Sequence, residues 1–259
     1  MAMPRPDEAR AGEDFRPSSP LKLLVLGILA LLAFIGLVAL GTWQVERRAW
    51  KLDLIARVES RVHAPAVQAP PPSAWAGITA AADEYSHVQA AGTFLYDREV
   101  LVQATTRLGP GFWVLTPLRT AQDATILVNR GFVPAEQRDR ASRAAAEQPG
   151  QTTISGLLRL TEPGGAFLRS NDPAGNRWYS RDVAAIAAAQ QLGSVAPYFI
   201  DADAAPNPGG LPVGGLTVVA FPNNHLVYII TWYVLALMVA GGAAYVAREE
   251  WRGRKARRR

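Results

Sequence analysis

The sequence predicts a membrane protein in which two transmembrane helices flank a β-rich α+β extracytoplasmic domain. Three observations carry that expectation: two uncharged apolar stretches, a series of short β-like runs between them, and an excess of positive charge confined to the ends. Residues 23–41 (LLVLGILALLAFIGLVALG) and 226–247 (LVYIITWYVLALMVAGGAAYVA) run for 19 and 22 residues without a charge. At about 1.5 Å per helical residue each covers roughly 30 Å, the hydrocarbon thickness of a bilayer. Neither alternates as a strand would, and a helix satisfies its own backbone hydrogen bonds in lipid.

Residues 1–20 are polar and Pro-rich, and read as a disordered cytoplasmic N-terminus. The first span covers 21–42. Its exit, GTWQVERR, is bulky and charged, unlike the small-residue site that ends a cleaved signal peptide, so the span is expected to stay. Residues 43–62 continue it as helix. Residues 63–82 hold Pro65, Pro70, Pro71 and Pro72 and are expected as an extended linker. Strands are expected at 85–95, 99–105, 112–118, 125–133 and 152–160, with weaker candidates at 177–181, 197–201 and 216–221, each bounded by Gly, Pro, Asn or Asp. A helix is expected over 182–192, with Asp182 at its start and Gly193 as its stop. Residues 135–147 read as a solvated helix or a polar loop, and 206–215 (PNPGGLPVGG) as a turn-rich connector. The domain, 43–224, is expected to be a mostly antiparallel compact barrel or curled sheet. The second span covers 225–247 and a basic tail 248–259.

Charge sets the orientation. From residue 43 to 224, 16 Lys and Arg balance 16 Asp and Glu, so the whole net +5 sits in the end pieces. Arg5, Arg10, Arg16 and Lys22 precede the first span. Arg248, Arg252, Arg254, Lys255, Arg257, Arg258 and Arg259 follow the second. The positive-inside rule places both flanks in the cytoplasm and the domain in the periplasm or its equivalent. Arg47, Arg48 and Lys51 oppose this locally, but long domains cross largely regardless of charge. A nucleic-acid binder would instead concentrate its cations on a folded face. With no Cys, disulfides and thiolate metal sites are excluded.

The chemistry-bearing clusters lie at the inner edges of the two spans. In the first, Trp43, Arg47 and Trp50 share one helical stripe, while Gln44, Arg48 and Lys51 share the neighbouring one. One reading is an aromatic belt with snorkelling cations; the other is a basic shelf for a ligand's carboxylates. In the second, Tyr228 and Trp232 fall within about 60° and 20° of His225 around a helix. Imidazole is a common iron ligand and flat aromatic walls suit a porphyrin, which would lie between the two helices with its propionates toward the basic shelf. The alternative is a histidine hydrogen-bonded at the lipid headgroups. Inside the domain, Asn129, Arg130 and Gly131 read as a turn or bulge ending a strand, with partner binding by an exposed Arg130 as the alternative. Glycines at 92 and 156 read as close backbone approaches, Trp178 and Tyr179 as core aromatics, and His63 and His87 as ordinary.

The segments LGTWQVERRAWK, AGTFL, ILVNRGFVP, ISGLLR, RWYSRD, GGLPVGG and PNNHLVYIITWY, in that order, make the chain resemble the surfeit locus protein one family over 21–247. Departures are mild: Phe132 stands where the family often has Trp, and Ile229 where it has a small residue. The resemblance implies a non-enzymatic assembly factor for cytochrome c oxidase in the bacterial cell inner membrane, which binds haem a and assists its insertion into subunit I. It implies His225 as the haem iron ligand and associates Trp232 with the same site. Partners implied are subunit I, the haem a synthesis machinery or other oxidase assembly factors, and the bilayer. The site expected from position and resemblance together is His225, Tyr228, Trp232, Trp43, Arg47 and Arg48, the two arginines facing the propionates. A scaffold that stabilises oxidase intermediates without touching haem is the alternative.

Other classes fit poorly. There is no G-x-S-x-G, Walker loop or dinucleotide fingerprint. Soft copper sites need thiolates or several Met, and Met occurs only at 1, 3 and 238. The hairpin is tested by reporter fusions: both termini should report cytoplasm and an insertion near Pro208 the far side, and the reverse pattern would refute it.

Overall fold

The computed structural model describes residues 19–219, 221 and 223–257. Of the stretch 1–20 expected to be disordered, 1–18 lie outside the described residues, as do the cations Arg5, Arg10, Arg16, Arg258 and Arg259, and Pro20 already begins a helix. Clustering of contacts divides the chain into two units, one made of both end segments and one spanning residues 55–220.

The end unit contains α4 (His225–Arg257) and α1 (Pro20–Val62) as far as Leu54, the remainder of α1 belonging to the second unit. Both are long and apolar enough to cross a membrane. Leu24, Leu26, Leu29, Leu32 and Ile35 of α1 and Val227, Ile230, Leu237 and Met238 of α4 stand exposed. A water-soluble protein rarely exposes so continuous an apolar surface. As expected, residues 43–62 prolong the first apolar helix without a break.

The second unit holds seven strands: β1 (Val67–Gln68), β2 (His87–Phe94), β3 (Val100–Thr106), β4 (Gly109–Thr120), β5 (Thr125–Pro134), β6 (Gln151–Leu160) and β7 (Val195–Ala202). Their order is β1-β2-β6-β7-β5-β4-β3, and a further β2–β4 pairing closes β2, β6, β7, β5 and β4 into a barrel. Every barrel pairing is antiparallel except β5–β7. Closure removes the free edges of those five strands. Val88, Leu118, Val128, Leu158, Tyr198 and Ile200 form one core cluster. A second packs Val100, Val102, Leu115, Leu127, Trp178 and Phe199 against Val183 and Ile186 of α3 (Val183–Ala189). β5 serves both clusters, which is why nine of its ten residues are buried. The two clusters take alternate residues of one strand, as pleating requires.

The five main strand expectations hold to within a few residues, and the weaker one at 197–201 is the core of β7. Two do not. Residues 177–181 pair only through isolated bridges, Asp172 with Arg177 and Val102 with Trp178. Residues 216–219 form no strand; Leu216 is instead buried with Phe132 and Ala104. Asp182 caps α3 as expected, accepting from Ala185 N, but the helix stops before Gly193, and Gln191 takes the left-handed conformation (φ 52°). Residues 135–147 resolve into two 3-10 segments, Ala135–Gln137 and Arg140–Ala146, and their Arg143 and Ala146 are buried rather than solvated.

The proline-rich stretch is not a linker. β1 adds in parallel to β2, Pro72–Gly77 forms a 3-10 turn, and Ala80–Asp83 a single helical turn, α2. Trp75 packs on the first core cluster, and both its indole N–H and the buried Tyr198 hydroxyl donate to Pro70 O. Prolines lower the entropy lost when the segment is ordered, so composition suited to an extended spacer also suits a strap fastened at a few points.

The Asn129–Gly131 bulge appears where expected: the β4–β5 register shifts between Trp113 and Leu115, where Asn129 has replaced Phe132 as partner. Arg130 is not exposed, however. It donates to Ala146 O at 2.7 Å, and burial holds its guanidinium below the ordinary value. At Gly92 and Gly156 a Cβ would collide with the carbonyls of Arg119 and Asp201 across the sheet, so both approaches need glycine. The carboxylate of Asp201, 1% exposed, accepts from Asn129 Nδ2 (2.7 Å), Arg159 (3.1 Å) and Arg181 (3.0 Å). A charge buried so deeply persists only when paired in this way.

His87 proves less ordinary than expected. Its Nδ1 lies 2.8 Å from Ala64 O and its Nε2 2.9 Å from Asp203 Oδ2. Both neighbours are acceptors, so the ring satisfies both only as imidazolium. The Asp203 hydrogen bond, against desolvation, raises its pKa above the ordinary value. Because the folded-state value is the higher one, this stabilisation is complete below about pH 6.5 and is lost as pH rises through the folded-state value. Denaturant unfolding should therefore show stability falling through the neutral-to-alkaline range. His87→Gln should flatten that part of the profile and cost about 1 kcal/mol at acidic pH.

Candidate functional site

Among the described residues, contacts at Gly41, Thr42 and Gln44 make α1 and α4 antiparallel. Gly41 has no side chain, and the Tyr233 ring occupies the space: a Cβ there would stand 3.0 Å from the ring. The Tyr233 hydroxyl lies 3.1 Å from Thr42 Oγ1. Since Thr42 spends its own hydrogen on Val38 O (3.0 Å), Tyr233 is the donor. One helical turn further along α1, Gln44 Oε1 lies 2.7 Å from His225 Nδ1. Gln44 is buried, an amide turned inward.

That contact has a chemical consequence. The amide oxygen only accepts, so Nδ1 carries the ring proton and donates it. In the neutral ring Nε2 then keeps its lone pair, and no hydrogen bond engages it among the described residues. His225 is half-buried at the first residue of α4.

The stripe of α1 that meets His225 begins at Gly41 and Gln44 and continues, at helical spacing, to Arg48 and Lys51. Arg48 is half-buried. Lys51 Nζ lies 5.2 Å from the ring centroid of Phe221, four residues before His225. Arg47 belongs to the neighbouring stripe and lies 4.1 Å above Trp50, with Trp43 and Trp50 themselves about half exposed. The predicted residues thus separate. Arg48 lies on the α1 stripe of Gln44, and Trp232 two turns along α4 on the stripe of His225, whereas Trp43 and Arg47 belong to an exposed aromatic–cation face of the kind expected of an interfacial belt. Tyr228 is also exposed. Trp232 is half-buried, and its indole N–H, like Asn223 Oδ1, is buried without a partner among the described residues.

A macrocycle lying between the helices is not supported. Tyr233 against Gly41 and Gln44 against His225 fill the contact at the very level where such a slot was expected. Gln44 and Lys51 are the residues the predicted site lacked. Their sequence signal was the spacing from Gly41: a small residue marks close helix approach, and a polar residue three positions later shares its face.

The sequence model described as SURF1 family matches residues 31–237. Surfeit locus protein 1 of Homo sapiens is 38% identical over 76% of this chain and 69% of its own length. The Mus musculus protein of the same name is 38% identical over 76% and 67%. A SURF1-like protein of Monosiga brevicollis is 37% identical over 81% and 83%. The matched span takes in Gly41, Gln44, His225 and Tyr233 together. Gly41→Val should force Tyr233 off α1 at a cost of about 1–3 kcal/mol. Spin labels on the two helices should then report a wider separation, and an unchanged distance would refute the close-approach role of Gly41.

Proposed function

The chain belongs to the SURF1 family, and on that premise we propose that it is a membrane-anchored assembly factor for cytochrome c oxidase which binds haem a and assists its insertion into subunit I. The observation that carries this reading is the Gln44–His225 hydrogen bond. Metal-binding histidines ordinarily have their second nitrogen held by an acceptor, which fixes the tautomer and the ring orientation. Here that acceptor is in place and Nε2 is left as the donor atom for iron.

Haem a, the cargo, supplies an iron with an axial position to fill and two propionates. Of the residues described, His225 would take the iron and Arg48 and Lys51 the propionates. The closed Gly41–Tyr233 contact argues for haem held on the surface of the helix pair rather than within it. Surface holding suits a cargo that must leave again. We assign no catalysis to the chain: binding, orientation and release are its work, in partnership with subunit I and with factors that make or pass on haem a. The exposed apolar surfaces of α1 and α4 support anchoring in the bacterial inner membrane, and the terminal cations favour cytoplasmic ends with the barrel in the periplasm.

The same closed helix contact is the one observation that favours a second reading, a scaffold that stabilises oxidase intermediates without binding haem. Spectra of the purified full-length protein with haem a separate the two. The wild type should show a Soret band, His225→Ala should lose it, and Gln44→Ala should weaken haem binding by about 10- to 100-fold. An unchanged band in His225→Ala would reject that ligand. Oxidase of normal haem a content in cells carrying His225→Ala would favour the scaffold.

A further inference from the structure

A cleft of about 440 Å³ opens in the barrel unit between β3, the 3-10 segment Arg140–Ala146 and residues 176–179, and neither the sequence motifs nor the haem reading uses it. Four arginines line it, Arg138, Arg140, Arg143 and Arg177, against two carboxylates, Asp97 and Glu99. Two of the four are already matched. Arg140 forms a two-pronged pair with Glu147, and Arg177 pairs with Asp172. Asp97 is taken by Arg98 at 3.4 Å.

What remains is unbalanced. The buried carboxylate of Glu99 serves two buried guanidiniums, Arg143 at 2.6 Å and Arg130 at 3.7 Å. Arg143, with 3% of its side chain exposed, also keeps a buried Nε without an acceptor. Arg138 is exposed and its charge lies 5.8 Å over the Phe112 ring, with no acidic partner among the described residues. One cation of the cleft, Arg138, is therefore left without an acidic partner, and beside it the paired Arg143 is still short of one acceptor, which is costly for a buried guanidinium. Phe112, Trp178 and Tyr179 supply flat walls beside them.

The geometry points to a binding site for a carboxylate ligand, and specifically for an acidic peptide segment of a partner protein. Guanidinium forks match carboxylates in two-pronged geometry. The choice of a peptide rests on the setting. Enclosed, mostly apolar pockets suit small molecules; this cleft has an exposed rim, at Arg138, Arg177 and Gln103. Two exposed arginines beside Tyr179 at such a rim match the Arg- and Tyr-rich composition of energetically dominant protein contacts.

The test uses the full chain in a non-ionic detergent and a fluorescein-labelled hexaglutamate peptide followed by anisotropy, with hexaglutamine as the uncharged control and citrate as a free carboxylate. Hexaglutamate should bind and hexaglutamine should not. Arg138→Gln with Arg177→Gln, both at exposed positions, should weaken binding about tenfold or more. Arg107→Gln, exposed beside a different cavity, should leave it unchanged. Equal loss in the Arg107 variant would reduce the effect to general charge attraction and overturn the proposal. So would hexaglutamate binding that the double variant leaves intact, or citrate binding at the cleft without peptide binding. Circular dichroism of each variant checks that the barrel is retained.

Discussion

One hydrogen bond organises the part of this protein that carries its proposed chemistry. Just beyond the apolar run of α1, next to Arg47 and Arg48, Gln44 reaches His225 of α4 at 2.7 Å. A buried amide there needs a partner inside the pair, since it is shielded from water. The bond therefore does three things together: it satisfies a buried amide, sets the register of α1 against α4, and decides which ring nitrogen holds the proton. Gly41 and Tyr233 complete the arrangement by letting the helices approach closely enough for the amide to reach. Small residues at the contact and polar groups as specific links are the usual means by which apolar helices associate without a hydrophobic driving force.

The barrel unit solves a different problem, that of burying charge. Asp201 and Glu99 are both almost fully enclosed, and each is met by two arginines. Around Asp201, Asn129 adds a neutral donor and Glu162 shares Arg181, while Arg159 keeps a buried Nε without a hydrogen-bond partner among the described residues. Around Glu99, Arg143 likewise keeps a buried Nε without one. The two clusters differ in what stands beside them: an exposed cation, Arg138, lies at the rim of the cleft next to Glu99. Arg130, in a motif that reads as a strand-ending bulge with partner binding as the alternative, is committed to the interior.

Much of the architecture was legible because its causes are local. Nineteen uncharged apolar residues impose a helix wherever they are placed, and β5 was expected over 125–133 as a short β-like run that ends at a proline. The β-strand pattern even carried the bulge at Asn129–Gly131. The Pro-rich segment misled because proline restricts φ without saying what the chain will touch; only Trp75 and the Tyr198–Pro70 contact reveal it as a strap. The two mistaken strands failed for a related reason, since Trp178 and Leu216 are apolar to fill core clusters rather than to pair.

The sequence alone determined the identities available for function: a single histidine at either apolar stretch, the neighbouring aromatics, and the cations of α1. Tertiary structure decided which of them meet. Gln44 and His225 are 181 residues apart, and the choice between the stripe of Gln44, Arg48 and Lys51 and that of Trp43, Arg47 and Trp50 depends on the rotation of one helix against the other. Periodicity defines the faces of a helix but leaves its azimuth open, and only the packing of Tyr233 onto Gly41 sets it.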